Sequence, residues 1–315
     1  MARRSRPEFA EPTPSPSSGA SARLFVITLL VSLRPRQWTK NLIVFAGLIF
    51  GQRLGEVRAI AEAAAAFAIF CALSGVMYLV NDVVDREADR QHPVKAKRPI
   101  AAGDLSIGAA LGAACVLAAA ALGAAYWLDG RFGHVAVSYV VLLACYSGPL
   151  KRIVIIDVLT IALGFVLRAA AGAVVIHVPI SHWLLVLTIQ LALFLALSKR
   201  RHELRMLAGQ ATHHRESLGE YSPEFLDQMI SIVAASTLIA YAIYTISPET
   251  VQKFGTNLLG LTLPFPLYGI FRYLYLVHRK ADGGSPAESL LTDRPLLACV
   301  ALWGLAVIAI IYGQA

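Results

Sequence analysis

Long apolar runs separated by short polar segments dominate the chain. A helix needs about 20 apolar residues to cross about 30 Å of hydrocarbon. Eight runs approach that length, at 59–80, 107–128, 134–150, 154–176, 182–198, 228–247, 257–277 and 295–313. A ninth run, with a shorter apolar core, lies at 38–54. The pattern predicts an all-α integral membrane protein with nine transmembrane helices.

The residues before the first span divide into two parts. Residues 1–22 are rich in Pro, Ser and Arg, a composition that cannot bury a core, and we predict a disordered cytoplasmic tail. The apolar stretch 24–33 ends at Arg34-Pro35-Arg36 and is predicted to form a helix in the membrane interface. The membrane domain is therefore predicted to cover 23–315.

The composition supports this class of protein. Only 15% of the 315 residues are charged and 57% are hydrophobic, whereas a soluble domain carries about 25% charged residues. The net charge of +8 could indicate nucleic-acid binding. Because the charges lie in short clusters between apolar runs, they indicate membrane topology first and anionic substrates second, and no nucleic-acid partner is expected.

The distribution of basic residues predicts an orientation. If nine helices alternate in direction, 22 Lys and Arg residues lie on the side of the N-terminus and 4 on the other side. Cytoplasmic loops carry the excess of Lys and Arg. The N-terminus is therefore predicted to be cytoplasmic and the C-terminus to lie outside.

Three carboxylates follow the second span, within the sequence Asn81-Asp82-Val83-Val84-Asp85-Arg86-Glu87-Ala88-Asp89. On a continuous helix Asp82, Asp85 and Asp89 share one face. They repel one another there and lie at the negative end of the helix dipole. A bound divalent cation would reverse both penalties, and Mg²⁺ prefers such oxygen ligands. The alternative is a solvated helix end with local pairs such as Asp82 with Arg86.

Three cations, Lys95, Lys97 and Arg98, follow these carboxylates in a loop with two prolines. Carboxylates that hold a metal, next to Lys or Arg that holds free phosphate oxygens, suit a metal-bound diphosphate. The alternative is plain anchoring on the cytoplasmic side, which is the better interpretation for Lys97 alone.

These motifs resemble the UbiA superfamily of intramembrane prenyltransferases, whose first signature is N-D-x-x-D-x-x-x-D. The continuation through His92-Pro93, Lys95 and Arg98-Pro99 is similar to the branch that attaches phosphoribose to polyprenyl phosphates. Leu33–Asn41, Tyr146–Lys151 and Ser198–Leu204 resemble further segments of that branch, in the same order.

The resemblance implies a UbiA-like helical bundle that transfers 5-phosphoribose from phosphoribosyl pyrophosphate to a polyprenyl (decaprenyl) phosphate and releases diphosphate. It implies Mg²⁺ as cofactor, held by Asp82, Asp85 and Asp89, with Asp82 and Asp85 catalytic. It also implies an active site on the cytoplasmic side of the cell (inner) membrane, a role in cell-wall arabinan synthesis, and a possible homo-oligomer. The substrate-binding residues are then Asn81, Lys40, Lys95, Arg98, Tyr146, Lys151, Arg168, Lys199, Arg200 and Glu203.

One segment departs from ordinary UbiA enzymes, which carry a second aspartate-rich motif at the inner end of span six. Here that place holds Lys199-Arg200-Arg201-His202-Glu203. Cations in place of carboxylates favour a bare phosphate over a metal-bound diphosphate. Phosphoribosyl pyrophosphate carries both kinds of group. The alternative is again basic charge on the cytoplasmic side.

Asp157 and Arg168 lie three helical turns apart on the same face of span five. A charge as deep in the membrane as Arg168 faces the bundle interior and is functional by default. Its partner is either the phosphate of a lipid substrate or a buried group of the protein, and the sequence leaves both open.

Two other functions remain as alternatives. An ordinary UbiA prenyltransferase, which joins a prenyl diphosphate to an aromatic or lipid acceptor, requires a second carboxylate cluster. A membrane transporter without chemistry would place its polar residues near the bilayer midplane. Most of the charged residues here lie at one surface instead.

Overall fold

A computed structural model describes residues 18–92, 94–206, 216–279 and 292–313. Over these ranges the regular structure is entirely helical. We number the long α-helices in chain order: α1 Ser18–Ser32, α2 Val57–Val84, α3 Ile107–Leu128, α4 Gly130–Ser147, α5 Ile156–Val175, α6 His182–Met206, α7 Pro223–Ile246, α8 Pro264–Arg279 and α9 Arg294–Tyr312.

Six of these helices are long and apolar enough to cross a membrane. They are α2, α3, α5, α6, α7 and α9. α8 has only 16 residues, and the 18 residues of α4 include Arg131 and His134 near its start. The all-helical membrane architecture is thus confirmed, and the count of nine crossings stays a prediction.

The first predicted span, 38–54, is not a regular α-helix. An 11-residue 3₁₀ helix, Pro35–Phe45, which we call the 3₁₀ segment, continues into the short α-helix Ala46–Phe50. Runs of 3₁₀ helix beyond three or four residues are uncommon. The first half of the 3₁₀ segment, which begins at Pro35, is polar. Only its second half and the short α-helix after it form the apolar core of this span.

Glycine allows this segment to lie directly against α5. A Cβ atom on Gly172 would come within 1.8 Å of the Val44 carbonyl oxygen, and one on Gly47 within 2.8 Å of the Ala173 backbone. Small residues permit such close backbone approach between membrane helices. The 3₁₀ segment therefore packs directly against α5, and it also contacts α2.

The helices pack mainly against their neighbours in sequence, from α2 through α7, and α8 packs against α9. The first and last parts of the chain meet at Tyr312, at the end of α9. Its hydroxyl donates to the carbonyls of Leu48 and Ile49 at 3.3 and 3.1 Å. The same hydroxyl accepts the Leu54 N–H at 3.1 Å. The last helix therefore closes the bundle onto the region that follows the 3₁₀ segment.

Helix α1 precedes this bundle and touches α2 and the short helix Pro99–Ala102. It begins at Ser18, so it includes the last residues of the predicted tail and covers most of the predicted interfacial stretch. Residues 1–17, on which the rest of the tail prediction falls, lie outside the described residues.

Candidate active site

Polar side chains concentrate where α2, α4 and α6 end, which we call the polar end of the bundle. α2 has 28 residues and is about 42 Å long, so its last turn extends beyond the hydrocarbon thickness of about 30 Å. The segment Asn81–Asp89, which we call the aspartate motif, lies on this last turn and on the short helix Arg86–Gln91 that follows.

The three aspartates do not lie on one continuous helix, so that part of the prediction was wrong, although Asp82 and Asp89 still share Arg98 as a partner. α2 ends at Val84, and Asp85 lies between it and the next helix. Carboxylates are unfavourable at a helix C-terminus and favourable at an N-terminus. The break transfers Glu87 and Asp89 to the first turn of a new helix, where their charge is stabilising.

Arginines hold the two buried aspartates. Asp82 is 2% exposed and Asp89 3% exposed. Nη1 of Arg98 donates to both carboxylates, at 3.1 Å to Asp82 Oδ1 and 2.5 Å to Asp89 Oδ2. Arg34 also donates to Asp82 Oδ1, and its guanidinium lies 4.9 Å from the centre of the Tyr78 ring. Two carboxylates therefore converge on one cationic group.

Asp85 faces a different partner. Its Oδ1 accepts a hydrogen bond of 2.9 Å from Lys151 Nζ, and its side chain is 40% exposed. Its backbone N–H donates to the carbonyl of Asn81 at 2.8 Å. The predicted residue Lys151 is thus brought to the aspartate motif, of which Asn81 is itself a part.

The donor set allows a test of the Mg²⁺ prediction. Across the described ranges, no group of three His, Cys, Asp or Glu side chains is placed to hold a metal together. Asp82 and Asp89 nevertheless converge within 3.1 Å of one guanidinium nitrogen. Mg²⁺ commonly uses one or two protein carboxylates and completes its shell with substrate phosphates and water. The residues present fit that mode of binding.

Lys95 is near carboxylates of both the aspartate motif and the last turns of α6. Partial burial and the nearby Arg98 guanidinium lower the pKa of its ammonium group, while the carboxylates of Asp89, Glu203 and Asp85 act in the opposite direction. Lys95 is therefore near both acidic groups, and its ammonium could contact an anionic substrate that extends from the aspartate motif towards Glu203.

Arg200 is buried and hydrogen-bonded to three protein side chains. It is 1% exposed, and its Nε donates to Asp157 Oδ2 at 2.8 Å. Its Nη1 donates to Glu203, and its Nη2 donates to the Tyr146 hydroxyl at 3.2 Å. In this structure Arg200 therefore positions Glu203 and Tyr146, and the substrate contact predicted for it from the sequence stays a prediction.

Tyr221 completes the network around Asp157. Its hydroxyl donates to Asp157 Oδ1 at 2.7 Å and accepts the Ile155 N–H at 2.8 Å. Ile155 has φ +68°, a strained conformation for a β-branched residue. Burial and the bond to Asp157 raise the pKa of the Tyr221 phenol, so it stays a donor at neutral pH. The network thus fixes the start of α5.

The two cations beside Arg200 differ in their environment. Lys199 is half exposed and lies 3.6 Å from Glu203. Arg201 is buried and forms a two-point pair with Asp227, which includes a 2.9 Å bond to Oδ2. Of the cluster's three Lys and Arg residues, Lys199 is therefore the one accessible to a ligand.

Arg168 lies in a buried network of neutral groups. Its guanidinium donates to Asn41 Oδ1 at 2.7 Å, to the Gly164 carbonyl at 3.0 Å and to the Tyr139 hydroxyl at 2.5 Å. The Ser74 hydroxyl lies 3.0 Å from that of Tyr139 and extends the network to α2. Of the two alternatives left by the sequence, the structure contains the buried protein partners.

Arg34 and Asn41 are the important residues that sequence reasoning missed. Arg34 binds Asp82, and Asn41 is fully buried against Arg168. Both lie in Leu33–Asn41, one of the segments on which the family resemblance rests. That resemblance was a signal that the polar residues of this segment have specific partners.

An apolar cavity of about 530 Å³ is lined by Leu42 and Ile43, the residues that follow Asn41 in the chain. Its walls come from the 3₁₀ segment, the short helix that follows it, and α6 to α9. Lining residues include Leu42, Ile43, Phe194, Ile270, Tyr273 and Trp303. A cavity of this composition suits a hydrocarbon chain.

The chain is similar to known proteins in sequence and in fold. Decaprenyl-phosphate phosphoribosyltransferase of Corynebacterium glutamicum is 33% identical over 290 residues, which cover 90% of this chain and 86% of the relative. The protein of the same name from Mycolicibacterium smegmatis is 32% identical over 310 residues, 94% of each chain. A UbiA homologue from Archaeoglobus fulgidus, solved bound to GPP and Mg²⁺, shares the fold with a TM-score of 0.70 at 19% identity, over 90% of this chain and 99% of that one.

The family assignment rests on the greater part of the chain. The sequence profile described as the UbiA prenyltransferase family matches residues 41–291. That range includes the aspartate motif, the Arg200 network and the apolar cavity's main walls. The chain therefore belongs to the UbiA prenyltransferase family of membrane proteins.

Proposed function

We propose that this protein transfers 5-phosphoribose from phosphoribosyl pyrophosphate to a polyprenyl phosphate, decaprenyl phosphate in the relatives' names, and releases diphosphate. One observation carries the proposal. The carboxylates of Asp85 and Asp89 and that of Glu203, which pairs with the accessible Lys199, all act on the Lys95 ammonium, where an ordinary UbiA enzyme would have two carboxylate motifs. The names of two relatives that match nearly the whole chain support it.

The diphosphate of the donor belongs at the aspartate motif. Asp82 and Asp89 would hold Mg²⁺, with Asp85 close to them. When bound there, Mg²⁺ neutralises charge on the departing diphosphate. Arg98 and Arg34 now satisfy the two buried carboxylates, and on ligand binding these guanidiniums become free to bind phosphate oxygens.

The 5-phosphate of the donor belongs near Lys95 and Lys199. Both ammonium groups are near Glu203, which the Arg200 network holds in place. A donor that spans from the aspartate motif to Lys199 would thus be held by both ends, with its ribose between them. Binding at two points orients C1 for reaction.

The reaction needs no general base. An oxygen of the acceptor phosphate attacks C1 of the ribose, and the bond from C1 to the diphosphate oxygen breaks. The acceptor is already an anion, so no proton has to be removed. Positive charge that develops on the ribose is surrounded by phosphates, while the nearby Lys and Arg stabilise the departing group. Attack from the opposite face inverts the configuration at C1.

We also propose nine crossings, with the N-terminus and the polar end on the cytoplasmic side of the inner membrane. The distribution of 22 against 4 basic residues supports this orientation. The 3₁₀ segment and the short helix after it have 11 and 5 residues, which together extend about 30 Å. That length is sufficient to cross the hydrocarbon layer.

Donor binding separates this function from ordinary prenyl transfer. We expect phosphoribosyl pyrophosphate with Mg²⁺ to raise the melting temperature of the detergent-purified protein, and EDTA to remove the effect. Lys199→Ala should weaken this binding by about 10-fold, the loss of one charge-assisted contact, and leave binding of Mg²⁺-pyrophosphate unchanged. If geranyl diphosphate raised the melting temperature and phosphoribosyl pyrophosphate did not, the proposal would be contradicted.

A further inference from the structure

The residues directly before α7, which we call the 216–222 segment, include three buried side chains although they belong to no long helix. The segment begins with the short helix Glu216–Gly219. Ser217 is 0% exposed, Leu218 1% and Tyr221 4%. Segments that connect helices usually run over the surface. The burial of this one is explained by specific contacts, which Ser217 and Tyr221 make through their hydroxyl groups.

Ser217 holds the element that carries Lys151. This element is the 3₁₀ helix Leu150–Arg152, which we call the Lys151 turn. The Ser217 hydroxyl donates to the Lys151 carbonyl at 2.9 Å, and the Lys151 ammonium donates to Asp85 Oδ1 at 2.9 Å. A single residue therefore separates Ser217 from the aspartate motif.

Tyr221 holds the end of α6 through a second series of contacts. Its hydroxyl donates to Asp157 Oδ1 at 2.7 Å, and the other oxygen of that carboxylate accepts a 2.8 Å bond from Arg200 Nε. Arg200 in turn donates to Glu203. The Tyr221 hydroxyl also accepts the Ile155 N–H at 2.8 Å, between the Lys151 turn and α5. The 216–222 segment therefore contacts neighbours of the aspartate motif and neighbours of the α6 end.

These contacts matter because the two parts of the proposed donor site lie on different helices. α2 packs mainly against α3 and the 3₁₀ segment, whereas α6 packs mainly against α5 and α7. A ligand that binds at two points gains affinity only when the spacing of the two subsites matches its own length. The aspartate motif and Glu203 therefore need a link that keeps their distance constant, and the 216–222 segment provides one.

We propose that Ser217 and Tyr221 are positioning residues that fix the spacing between the diphosphate subsite and the 5-phosphate subsite of the donor. Ser217 acts through Lys151 and Tyr221 through Asp157, and neither is assigned a contact with the substrate. This assignment rests on the proposed function. Loss of either hydroxyl should weaken binding of a ligand that spans both subsites and should not change binding of a ligand that fills only one of them.

The test compares one spanning ligand with its two halves. The experiment uses the full chain in lipid nanodiscs, with Tyr221→Phe, Ser217→Ala and the control Tyr268→Phe, which removes a hydroxyl from an exposed tyrosine of α8. Isothermal titration calorimetry with Mg²⁺ present gives the Kd of phosphoribosyl pyrophosphate, of pyrophosphate and of ribose 5-phosphate. Hydrogen exchange of peptides that cover 150–157 is measured without ligand, and thermal melting verifies that every variant is folded.

Binding at two points can exceed binding at one by about 100-fold or more, and we expect Tyr221→Phe and Ser217→Ala each to weaken binding of phosphoribosyl pyrophosphate by about 10-fold. The Kd values for the two halves should stay within about 2-fold of the wild type, and Tyr268→Phe should equal the wild type for every ligand. A similar loss for all three ligands would overturn the assignment, because it would indicate a general structural effect. Unchanged affinity for phosphoribosyl pyrophosphate in either variant would remove that residue from the assignment.

Hydrogen exchange separates this assignment from the proposed function. In both variants we expect faster exchange over 150–157, where the Ile155 N–H loses its acceptor in Tyr221→Phe, while α3 and α9 exchange as in the wild type. If the wild type binds no phosphoribosyl pyrophosphate, the proposed function fails. Faster exchange confined to 150–157 would then still support the hold of Ser217 and Tyr221 on these residues, and exchange equal to the wild type would overturn it.

Discussion

Asp85→Asn should reduce turnover by at least about 100-fold and leave the protein folded, the loss expected when a group that stabilises the departing charge is removed. Asp85 is one of the three carboxylates around the proposed donor diphosphate. Its side chain is 40% exposed, and its ion pair is with Lys151. An exposed pair contributes about 0–1 kcal/mol, so the melting temperature should hardly change. Steady-state turnover and thermal melting of the purified variant measure the two effects.

Glu87→Gln provides the matched control. Glu87 lies two residues further along, is 74% exposed and pairs with Arg86 and Arg90 at the surface. We expect normal turnover from this variant. If Asp85→Asn were as active as the control at saturating Mg²⁺, the aspartate motif would not be the diphosphate site.

Arg200→Ala should destabilise the protein by about 3–5 kcal/mol, because it leaves the fully buried carboxylate of Asp157 without its cation. For a chain of this size that loss lowers the melting temperature by about 10 °C. Lys199→Ala, which removes a half-exposed neighbour, should cost less than about 1 kcal/mol. Thermal unfolding in one detergent compares the two variants directly.

A double variant tests the cause of this effect. Replacement of both buried partners by apolar residues of similar size is often neutral or stabilising. Arg200→Met with Asp157→Leu should therefore recover most of the lost melting temperature. If Arg200→Ala melted normally and raised the KM for the donor instead, Arg200 would be the substrate contact that the sequence predicted.

The membrane architecture could be predicted because it depends on local composition. Runs such as 59–80 and 228–247 are predominantly apolar, and the helices α2 and α7 match them closely. The first span was predicted less well. Its conformation depends on contact between Val44 and the Gly172 backbone, and nothing local in the sequence shows that contact.

The candidate site could be predicted by residue type but not by pairing. The aspartate motif and the lysines near it were recognisable from their spacing, and the structure brings them together. Whether a cation is free or engaged depends on partners that are distant in sequence. Arg200 pairs with Asp157 across 43 positions and Arg168 with Asn41 across 127, so the sequence alone could not separate them from Lys199.

One measurement tests the proposed reaction most directly. Purified protein is incubated with Mg²⁺, polyprenyl phosphate and labelled phosphoribosyl pyrophosphate, and the extracted lipid is analysed by mass spectrometry, with Asp85→Asn in parallel. We predict a lipid heavier by one phosphoribosyl group, absent with EDTA and in the variant. Absence of this product, together with transfer of a prenyl group from a prenyl diphosphate to an aromatic acceptor, would contradict the proposed function.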